Sequence, residues 1–334
     1  MKTKLLCIAA AVAASAIVRA ETASDAKPAA KPPRARIVAT TFPVYDWTRE
    51  VLGERLAETD LVLLQQSGID LHSYSPSAAD LRKIASCDLF VFVGGESDEW
   101  TERALAQKGN PRRRVLSLVK ALGSAAKEEK VVEGMEHEHH NHDDDHDEDH
   151  DHDEDEREID EHVWLSLRNA AVLVKAIAAE IAAVDPANAA TYRANADAYG
   201  AKLAALDRAY GEAVATAKRR TILVADRFPF RYLADDYGLE YFAAFAGCSA
   251  ESEASFKTVA FLAKKADALQ LPVILTLEGA QHKIAETVRR TTKSGAQRIL
   301  TLDSLQSTGG EAAKTTHYLD AMRRNLDTLK AALN

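Results

Sequence analysis

The sequence predicts an α/β protein with two lobes of parallel sheet, flanked by helices and joined by one long rigid helix. Its 334 residues suit two domains of about 150 residues each. In both halves, short apolar runs alternate with segments of helical periodicity, as in βαβ units. An alanine-rich helical pattern over residues 185–217 separates the halves, with Pro186 suited to its first turn. A helix of about 30 residues spans about 45 Å, enough to join two lobes.

The amino terminus has the features of a cleavable signal peptide over residues 1–20. Lys2 and Lys4 precede an apolar run over residues 5–18, and small residues stand at the −3 and −1 positions of a cleavage site after Ala20. The run of about 14 residues is shorter than the roughly 20 that a membrane-spanning helix needs. We therefore expect a protein of the periplasm or extracytoplasmic face, with residues 21–35 as a flexible leader.

The two lobes are expected over residues 36–184 and 218–334, on either side of the linking helix. Each element is expected where an apolar or β-branched run, or a helical pattern, occurs. The first lobe opens with a strand at 37–41, and continues with strands at 60–64 and 89–93 and helices at 77–86 and 101–107. The second has strands at 221–225, 241–245, 272–277 and 298–302 and a terminal helix at 315–333.

One acidic, histidine-rich segment carries most of the charge. Residues 136–161 hold 16 of the 51 acidic residues and seven of the 11 histidines. Since the whole chain carries −9 and this stretch −15, the remainder carries +6, too weak a field to indicate a nucleic-acid partner. We expect a disordered loop over 136–158, because its composition cannot bury a core. Its histidines are predicted to bind extra metal weakly: His137, His139, His140, His142, His146, His150 and His152.

Histidines and acidic residues elsewhere stand at or near the ends of predicted strands. His72 follows the strand at 60–64, and Asp303 and Glu278 each end a strand, with His282 four residues after Glu278. His162 stands where the acidic loop meets ordered structure. Ligands of doubly wound folds bind beyond the carboxyl ends of strands, and imidazole with carboxylate favours zinc. Taken singly, each residue has a structural alternative as a turn, cap or surface residue.

Other chemistries find little support. The sequence has no Gly-x-Ser-x-Gly motif and no phosphate-binding glycine loop, and Gly94-Gly95 is too short for a dinucleotide fingerprint. No cysteine stands near a histidine in sequence. A zinc-dependent hydrolase would need a general base and a substrate pocket, and the sequence nominates neither. We expect a binding protein and not an enzyme.

Two cysteines, Cys87 and Cys248, remain once the signal peptide is removed. Cys87 precedes a predicted strand and Cys248 follows one, so in a parallel sheet they would lie at opposite ends. A disulfide needs Cα atoms within about 7 Å. We therefore expect no bridge between them, although an oxidising compartment would permit one.

Three motifs resemble those of one family. Asp-Leu-His-Ser-Tyr-Ser-Pro-Ser at 70–77 resembles Asp-Pro-His-x-Tyr-x-Pro-Thr, and Glu-His-Val-Trp-Leu at 161–165 resembles Asp-Pro-His-x-Trp-Leu. Leu-Asp-Ser at 302–304 resembles a carboxylate ligand motif. Together with the opening strand, these are similar to the solute-binding proteins of zinc and manganese ABC importers, the long-helix class, over residues 36–334. The resemblance implies His72, His162 and Asp303 as metal ligands.

The third ligand of that family is missing. When the sequence is aligned on Tyr232, Arg227 occupies the position of a ligating His or Glu, and arginine cannot ligate a cation. Glu278 or His282 is the expected replacement. The strand that ends at Glu278 should lie between its two neighbours in the second sheet, and so reach the same space. Water or Asp226 remains an alternative for this ligand position.

Arg227 and Asp226 are expected to contact the metal ligands without binding the ion themselves. Arg227 is expected to pair with a ligating carboxylate and so to fix its orientation. Because ligation requires neutral imidazole, binding should weaken as the pH falls through about 6.5. The stiff joining helix predicts small tilts of the lobes and not wide closure.

The resemblance implies an extracytoplasmic receptor that captures zinc in the cleft between the lobes and delivers it to an ABC permease with a cytoplasmic ATPase. We expect a monomer that meets the membrane only through the permease. A manganese receptor of the same family is one alternative, disfavoured by the histidine-rich loop, which is characteristic of the zinc branch. A periplasmic zinc-storing chaperone, with the loop as its main site, is another.

Overall fold

The computed structural model describes residues 34–66, 68–136, 158–249, 253–279 and 281–334. The predicted signal peptide, most of the leader and all seven histidines of the acidic loop lie outside the described residues. The structure therefore leaves those three predictions untested.

The first sheet is entirely parallel, with the strand order β2-β1-β3-β4. A parallel order requires a crossover between strands, and helices supply it. The strands are β1 (Arg36–Ala39), β2 (Asp60–Leu63), β3 (Leu89–Phe92) and β4 (Arg114–Ser117). The helices of this half are α1 (Phe42–Leu52), α2 (Ala78–Ser86), α3 (Trp100–Ala106) and α4 (Leu118–Leu122).

The second sheet repeats this topology in the order β6-β5-β7-β8, again with parallel pairs. The predicted placement of the strand ending before Glu278 is confirmed, because β7 lies between β5 and β8. The strands are β5 (Thr221–Phe228), β6 (Glu240–Ala246), β7 (Val273–Leu277) and β8 (Arg298–Leu302). The helices are α7 (Arg231–Tyr237), α8 (Phe256–Ala268), α9 (Lys283–Thr291), α10 (Ala312–Thr315) and α11 (Tyr318–Leu333).

Two long helices separate the sheets in the chain. They are α5 (Leu167–Val184) and α6 (Ala189–Ala215), whose 27 residues extend about 40 Å. One face of α6 is buried at intervals of three and four residues, the spacing of a helix that packs along its whole length. The buried residues on that face are Tyr192, Ala196, Tyr199, Leu203, Leu206, Tyr210 and Val214. The predicted fold class, two parallel-sheet lobes joined by a long helix, is confirmed.

Strand β4 and helix α5 were not predicted from the sequence, for different reasons. β4 is an edge strand whose first two residues are exposed, so it lacks a continuous apolar run. α5 begins directly after the His162 segment, where Ser166 caps it by accepting a hydrogen bond from the Asn169 amide. No helix among the described residues is long and apolar enough to cross a membrane.

Candidate metal centre

His162 is fully buried, just before a short 3-10 turn at Val163–Leu165. Its Nδ1 lies 2.8 Å from Asp160 Oδ1, and its backbone amide donates to the same oxygen at 2.9 Å. A ring nitrogen that donates its proton to a carboxylate leaves the other nitrogen unprotonated. The Nε2 lone pair of His162 is therefore available, in the carboxylate–histidine arrangement that orients metal ligands in proteins.

His72 lies in a 3-10 turn over Leu71–Ser73, after strand β2. Asp70 caps this turn by accepting a hydrogen bond from the His72 amide at 3.0 Å, and His72 Nδ1 lies 2.7 Å from Ser97 Oγ. Burial, and then the neighbouring His162, lower the pKa of His72 to about 3, against the opposing effect of Asp70. The ring is therefore neutral near pH 7, as a metal ligand must be, and protonation of His72 does not produce the loss of binding that was expected as the pH falls through about 6.5.

The two rings meet through their Nε2 atoms, which are 3.3 Å apart. Zinc binds imidazole nitrogen at 2.0–2.1 Å, so two such ligands at the tetrahedral angle lie about 3.3 Å apart. In the tautomers that leave both Nε2 atoms unprotonated, the two lone pairs face each other and repel unless a cation lies between them. The spacing of His72 and His162 is therefore that of a tetrahedral zinc site.

Gln306 contacts both rings and was not predicted as a site residue. Its side-chain nitrogen Nε2 lies 3.3 Å from His72 Nε2 and makes a closer contact with His162 Nε2. The Ser304 hydroxyl lies 3.2 Å from Gln306 Oε1 and 2.6 Å from a Glu278 oxygen. Burial and the neighbouring Asp303 raise the pKa of Glu278 to about 7, and the ionised carboxylate accepts the single hydrogen of the Ser304 hydroxyl. That hydroxyl then cannot also donate to Gln306 Oε1, and a reversed carboxamide would instead donate to Ser304 and turn Oε1 towards the histidines, where it could ligate a cation.

Cys248 lies close to the two histidines and forms a cluster of three residues with them. One ligand atom each from His72, His162 and Cys248 lies within 4.8 Å of the others. Cys248 follows strand β6 and is half-buried, and both it and Cys87 are free thiols. Cys248 was not predicted as a site residue because no histidine stands near it in the sequence. His162 and Cys248 are 86 positions apart in the sequence and meet only in the folded protein.

Asp303, predicted as a ligand, is engaged elsewhere. Its Oδ1 accepts a hydrogen bond from the Leu305 amide at 3.0 Å, and its Oδ2 lies 3.6 Å from an Arg324 nitrogen on α11. Asn325 holds the Asp303 backbone through two hydrogen bonds. Among the described residues, the group of ligand atoms around His72 does not include Asp303.

Glu278 and His282, the expected replacements for the third ligand, are not brought together with the histidine pair either. Glu278 accepts hydrogen bonds from the Ser304 amide at 2.7 Å and the Gln306 amide at 3.2 Å, as well as from the Ser304 hydroxyl. It therefore shapes the loop that presents Gln306. His282 adopts a left-handed conformation (φ 55°) at the start of α9 and lines a cavity of about 730 Å³ beside the site.

Arg227 makes an ion pair, but not with a ligating carboxylate. Its Nη2 donates to Asp70 Oδ2 at 2.7 Å, and so holds the turn that carries His72. Asp226 instead accepts hydrogen bonds from Thr276 Oγ1 at 3.0 Å and Leu277 N at 3.3 Å, at the end of strand β7. Arg227 thus supports His72 from behind, and Asp226 ties two neighbouring strands.

Hydrogen bonds between the two halves of the chain surround this centre. The Gly68 amide donates to Ser307 O at 3.0 Å, and the Trp164 indole donates to Ser304 O at 2.9 Å. The Tyr232 hydroxyl donates to Asp160 O at 2.9 Å. These bonds fix the ligand-bearing loops relative to one another.

Comparison with known proteins identifies the family. Residues 37–332 match the family described as "Zinc-uptake complex component A periplasmic". The chain belongs to this family. The resemblance to the solute-binding proteins of zinc ABC importers, inferred from three motifs, is therefore confirmed.

Two curated relatives carry zinc in their names. The chain is 29% identical over 300 residues to the zinc-binding protein AdcA of Streptococcus pyogenes serotype M1, covering 89% of this chain and 56% of AdcA. It is 32% identical over 297 residues to the high-affinity zinc uptake system protein ZnuA of Bacillus subtilis, covering 89% and 87%. The chain thus spans about half the length of the streptococcal relative and most of the Bacillus one.

Solved structures show the same architecture. The Zn(II)-bound ZnuA-like domain of Streptococcus pneumoniae AdcA superimposes with a TM-score of 0.67 at 28% identity, covering 90% of this chain and 99% of that domain. The metal-dependent lipoprotein YcdH of Bacillus subtilis gives 0.70 at 28% identity, with the same coverage. The fold of the chain is therefore the one found in solved structures of ZnuA-like proteins, in agreement with the family match.

The lowered pKa of His72 predicts a pH effect on the metal-free protein. The unfolded chain binds the His72 proton near pH 6.5, whereas the folded chain binds it near pH 3. Between these values the unfolded state holds more protons, so the His72 contribution to stability falls as the pH falls. Below about pH 6, this contribution lowers the free energy of unfolding by at most about 1.4 kcal/mol for each pH unit of acidification. His72→Gln, which cannot protonate, removes this pH dependence.

Urea unfolding of the metal-free wild type and His72→Gln at pH 7.5, 6.0 and 5.0 measures this effect. The unfolding free energy of His72→Gln, measured relative to that of the wild type, should increase from pH 7.5 to 6.0 and again from 6.0 to 5.0. His317→Gln, which changes a half-exposed histidine at the start of α11, is the matched control. A constant difference between wild type and His72→Gln across the series would contradict the neutral, buried state of His72.

Proposed function

We propose that the protein is an extracytoplasmic receptor that captures Zn²⁺ at His72 and His162 and delivers it to an ABC permease. The observation that carries the proposal is the 3.3 Å separation of two Nε2 atoms, each with its Nδ1 held by a polar partner. That separation suits tetrahedral zinc. The names of the AdcA and ZnuA relatives support the same cargo.

Zinc is favoured over manganese by the donor types at the centre. Manganese prefers carboxylate, carbonyl and water oxygen, whereas imidazole and sulfur suit zinc. Among the described residues, the ligand atoms grouped around His72 are two imidazoles and a thiol, without a carboxylate. The manganese receptor is therefore the weaker alternative.

Delivery requires a route for the ion and a partner. The cavity beside the centre is lined by Asp70, His72, Arg227 and Gln306 among other residues, so hydrated zinc can reach His72 from it, whereas His162 is fully buried. The family is described as a component of a zinc-uptake complex, which supports a permease partner. We propose a monomeric receptor, exported by its signal peptide, whose permease is driven by a cytoplasmic ATPase. Its role is binding and not catalysis.

Lobe movement during delivery should be small. The ligand-bearing loops of the two halves are linked by direct hydrogen bonds, such as Gly68 N to Ser307 O. The long helix α6 is buried along one face and packs against α5. Zinc affinity then depends on the ligand set and on local ordering of the loops, and not on wide closure of a cleft.

The histidine-rich loop is predicted to bind additional zinc weakly. Its seven histidines stand among carboxylates, and ordering a flexible segment around an ion costs conformational entropy. Calorimetry of the full chain should show one tight zinc ion and several weaker ones. A chain lacking residues 137–156 should keep the tight ion and lose only the weaker ones.

The same deletion separates the receptor from a zinc-storing chaperone. If the loop is the main site, deletion removes the tight ion together with the weak ones. Elemental analysis of the purified, tag-free protein before and after deletion provides the ion count directly. Loss of the tight ion would overturn the receptor proposal and favour storage.

A further inference from the structure

We infer that Cys248 is the third zinc ligand of this receptor and replaces the ligand that Arg227 cannot provide. This inference rests on the proposed function, since it concerns the same ion. It gives the site two imidazoles and one thiolate, with Gln306 Oε1 or a water as the fourth ligand. The three side chains come from a turn after β2, a segment before α5 and the loop after β6.

The geometry needs only a small adjustment. One ligand atom of each of His72, His162 and Cys248 lies within 4.8 Å of the other two. Zinc–sulfur bonds of about 2.3 Å and zinc–nitrogen bonds of about 2.05 Å place tetrahedral N and S ligands about 3.6 Å apart. The thiol therefore has to approach the histidines by at most about 1.2 Å, which a side-chain rotation can supply.

Gly247 brings the cysteine loop against the His162 ring. A Cβ atom at Gly247 would lie 3.2 Å from His162 Cε1 and 3.0 Å from Phe228 O, tighter than ordinary contacts. A side chain at this position would have to displace these neighbours by a few tenths of an ångström, so glycine suits the close approach. The Cys248 amide then donates to Glu129 Oε1 at 2.8 Å, which fixes the start of the loop. Cys248 is thus held beside the imidazoles and not placed there by a free loop.

Arg227 links the turn that carries His72 to the loop that carries Cys248. Its Nη2 donates to Asp70, which caps the His72 turn, and its Nη1 lies 3.5 Å from Ser249 O, next to Cys248. One guanidinium therefore joins the turn that carries His72 to the loop that carries Cys248.

Thiolate ligation also explains the choice of ion. When zinc binds, the Cys248 S–H proton leaves to solvent and a Zn–S bond forms, so the site gains an anionic ligand without a carboxylate. Thiolate is a soft donor that suits zinc and is a poor ligand for manganese. Arg227 stands where the family has a ligating histidine or glutamate. The Cys248 thiolate then takes the place of that ligand and increases the selectivity of the site for zinc.

Cobalt(II) substitution tests the assignment in the full mature chain, kept reduced by a non-thiol reductant. Co²⁺ bound to thiolate gives an intense near-ultraviolet charge-transfer band, which histidine and carboxylate ligands of the acidic loop cannot give. We expect this band after one equivalent of Co²⁺ in the wild type and in Cys87→Ala, the matched control. Cys248→Ser should lack it. A wild type that binds Co²⁺ without the band, or a Cys248→Ser protein that retains it, would overturn the inference.

Zinc affinity provides the second measurement. Cys248→Ala should weaken zinc binding by at least about 100-fold, the upper end of the effect of residues that only support ligands. Cys248→His should restore most of the affinity without restoring the cobalt band. If Cys248→Ala binds zinc as tightly as the wild type while His72→Ala does not, the inference fails and the receptor proposal stands. If none of these substitutions alters affinity, both fail.

Discussion

Replacement of His72 by alanine is expected to lower zinc affinity by more than about 100-fold while the fold remains intact. The variant removes one of the two imidazoles whose Nε2 atoms are 3.3 Å apart. Residues that only support a ligand already cost 10–100-fold when replaced, so a direct ligand should cost more. The His72 turn is also held by Asp70 through its backbone, a contact that alanine keeps.

Competition calorimetry in chains lacking residues 137–156 measures this loss without interference from the loop histidines. His317→Ala is the control for the loss of one imidazole away from the pair: His317 is half-exposed at the start of α11, where it groups with Asp46 and Glu50, and its loss is expected to leave the tight ion in place. Equal far-ultraviolet circular dichroism and melting temperature would establish that the fold is unchanged. If His72→Ala binds zinc as the parent chain does, the receptor site is misplaced.

Asp160→Asn is expected to weaken zinc binding by about 10–100-fold. Asp160 accepts hydrogen bonds from the Nδ1 and the backbone amide of His162, at 2.8 and 2.9 Å. Asparagine keeps an oxygen in the same place but loses the negative charge that makes the imidazole a stronger donor to the metal. The ring should therefore stay in position while its basicity falls.

Asp320→Asn, which removes an exposed carboxylate paired with Arg323 on α11, is the matched control for the loss of one charge. Its zinc affinity should equal that of the wild type within about twofold. An Asp160→Asn protein with wild-type affinity would mean that the Asp160 carboxylate contributes nothing to zinc binding through His162.

Most of the fold follows from patterns that are local in sequence. Apolar runs of four to eight residues mark strands such as β3 and β7, and a periodic alanine-rich stretch marks α6. β4 escaped prediction because an edge strand has few buried positions. Even the order of the second sheet could be predicted, because doubly wound sheets place the first strand between its neighbours.

The candidate site was only half predictable. His72 and His162 stand in motifs with a local signature, and the structure brings their Nε2 atoms together. Cys248 and Gln306 have no such signature, since their roles depend on loops that meet only in the tertiary structure. Asp303 is implied as a ligand by the resemblance of its Leu-Asp-Ser motif; its Oδ1 accepts from the Leu305 amide and its Oδ2 lies 3.6 Å from Arg324, so its role as a ligand stays a prediction.

X-ray absorption at the zinc K-edge, on the full chain loaded with one equivalent of zinc, tests the central claim most directly. A receptor centre at His72 and His162 predicts two imidazole nitrogens at about 2.0–2.1 Å, and Cys248 predicts one sulfur at about 2.3 Å. Imidazole without sulfur would remove Cys248 from the site and leave the receptor. A first shell of oxygen atoms alone, without the multiple scattering of imidazole, would contradict the account.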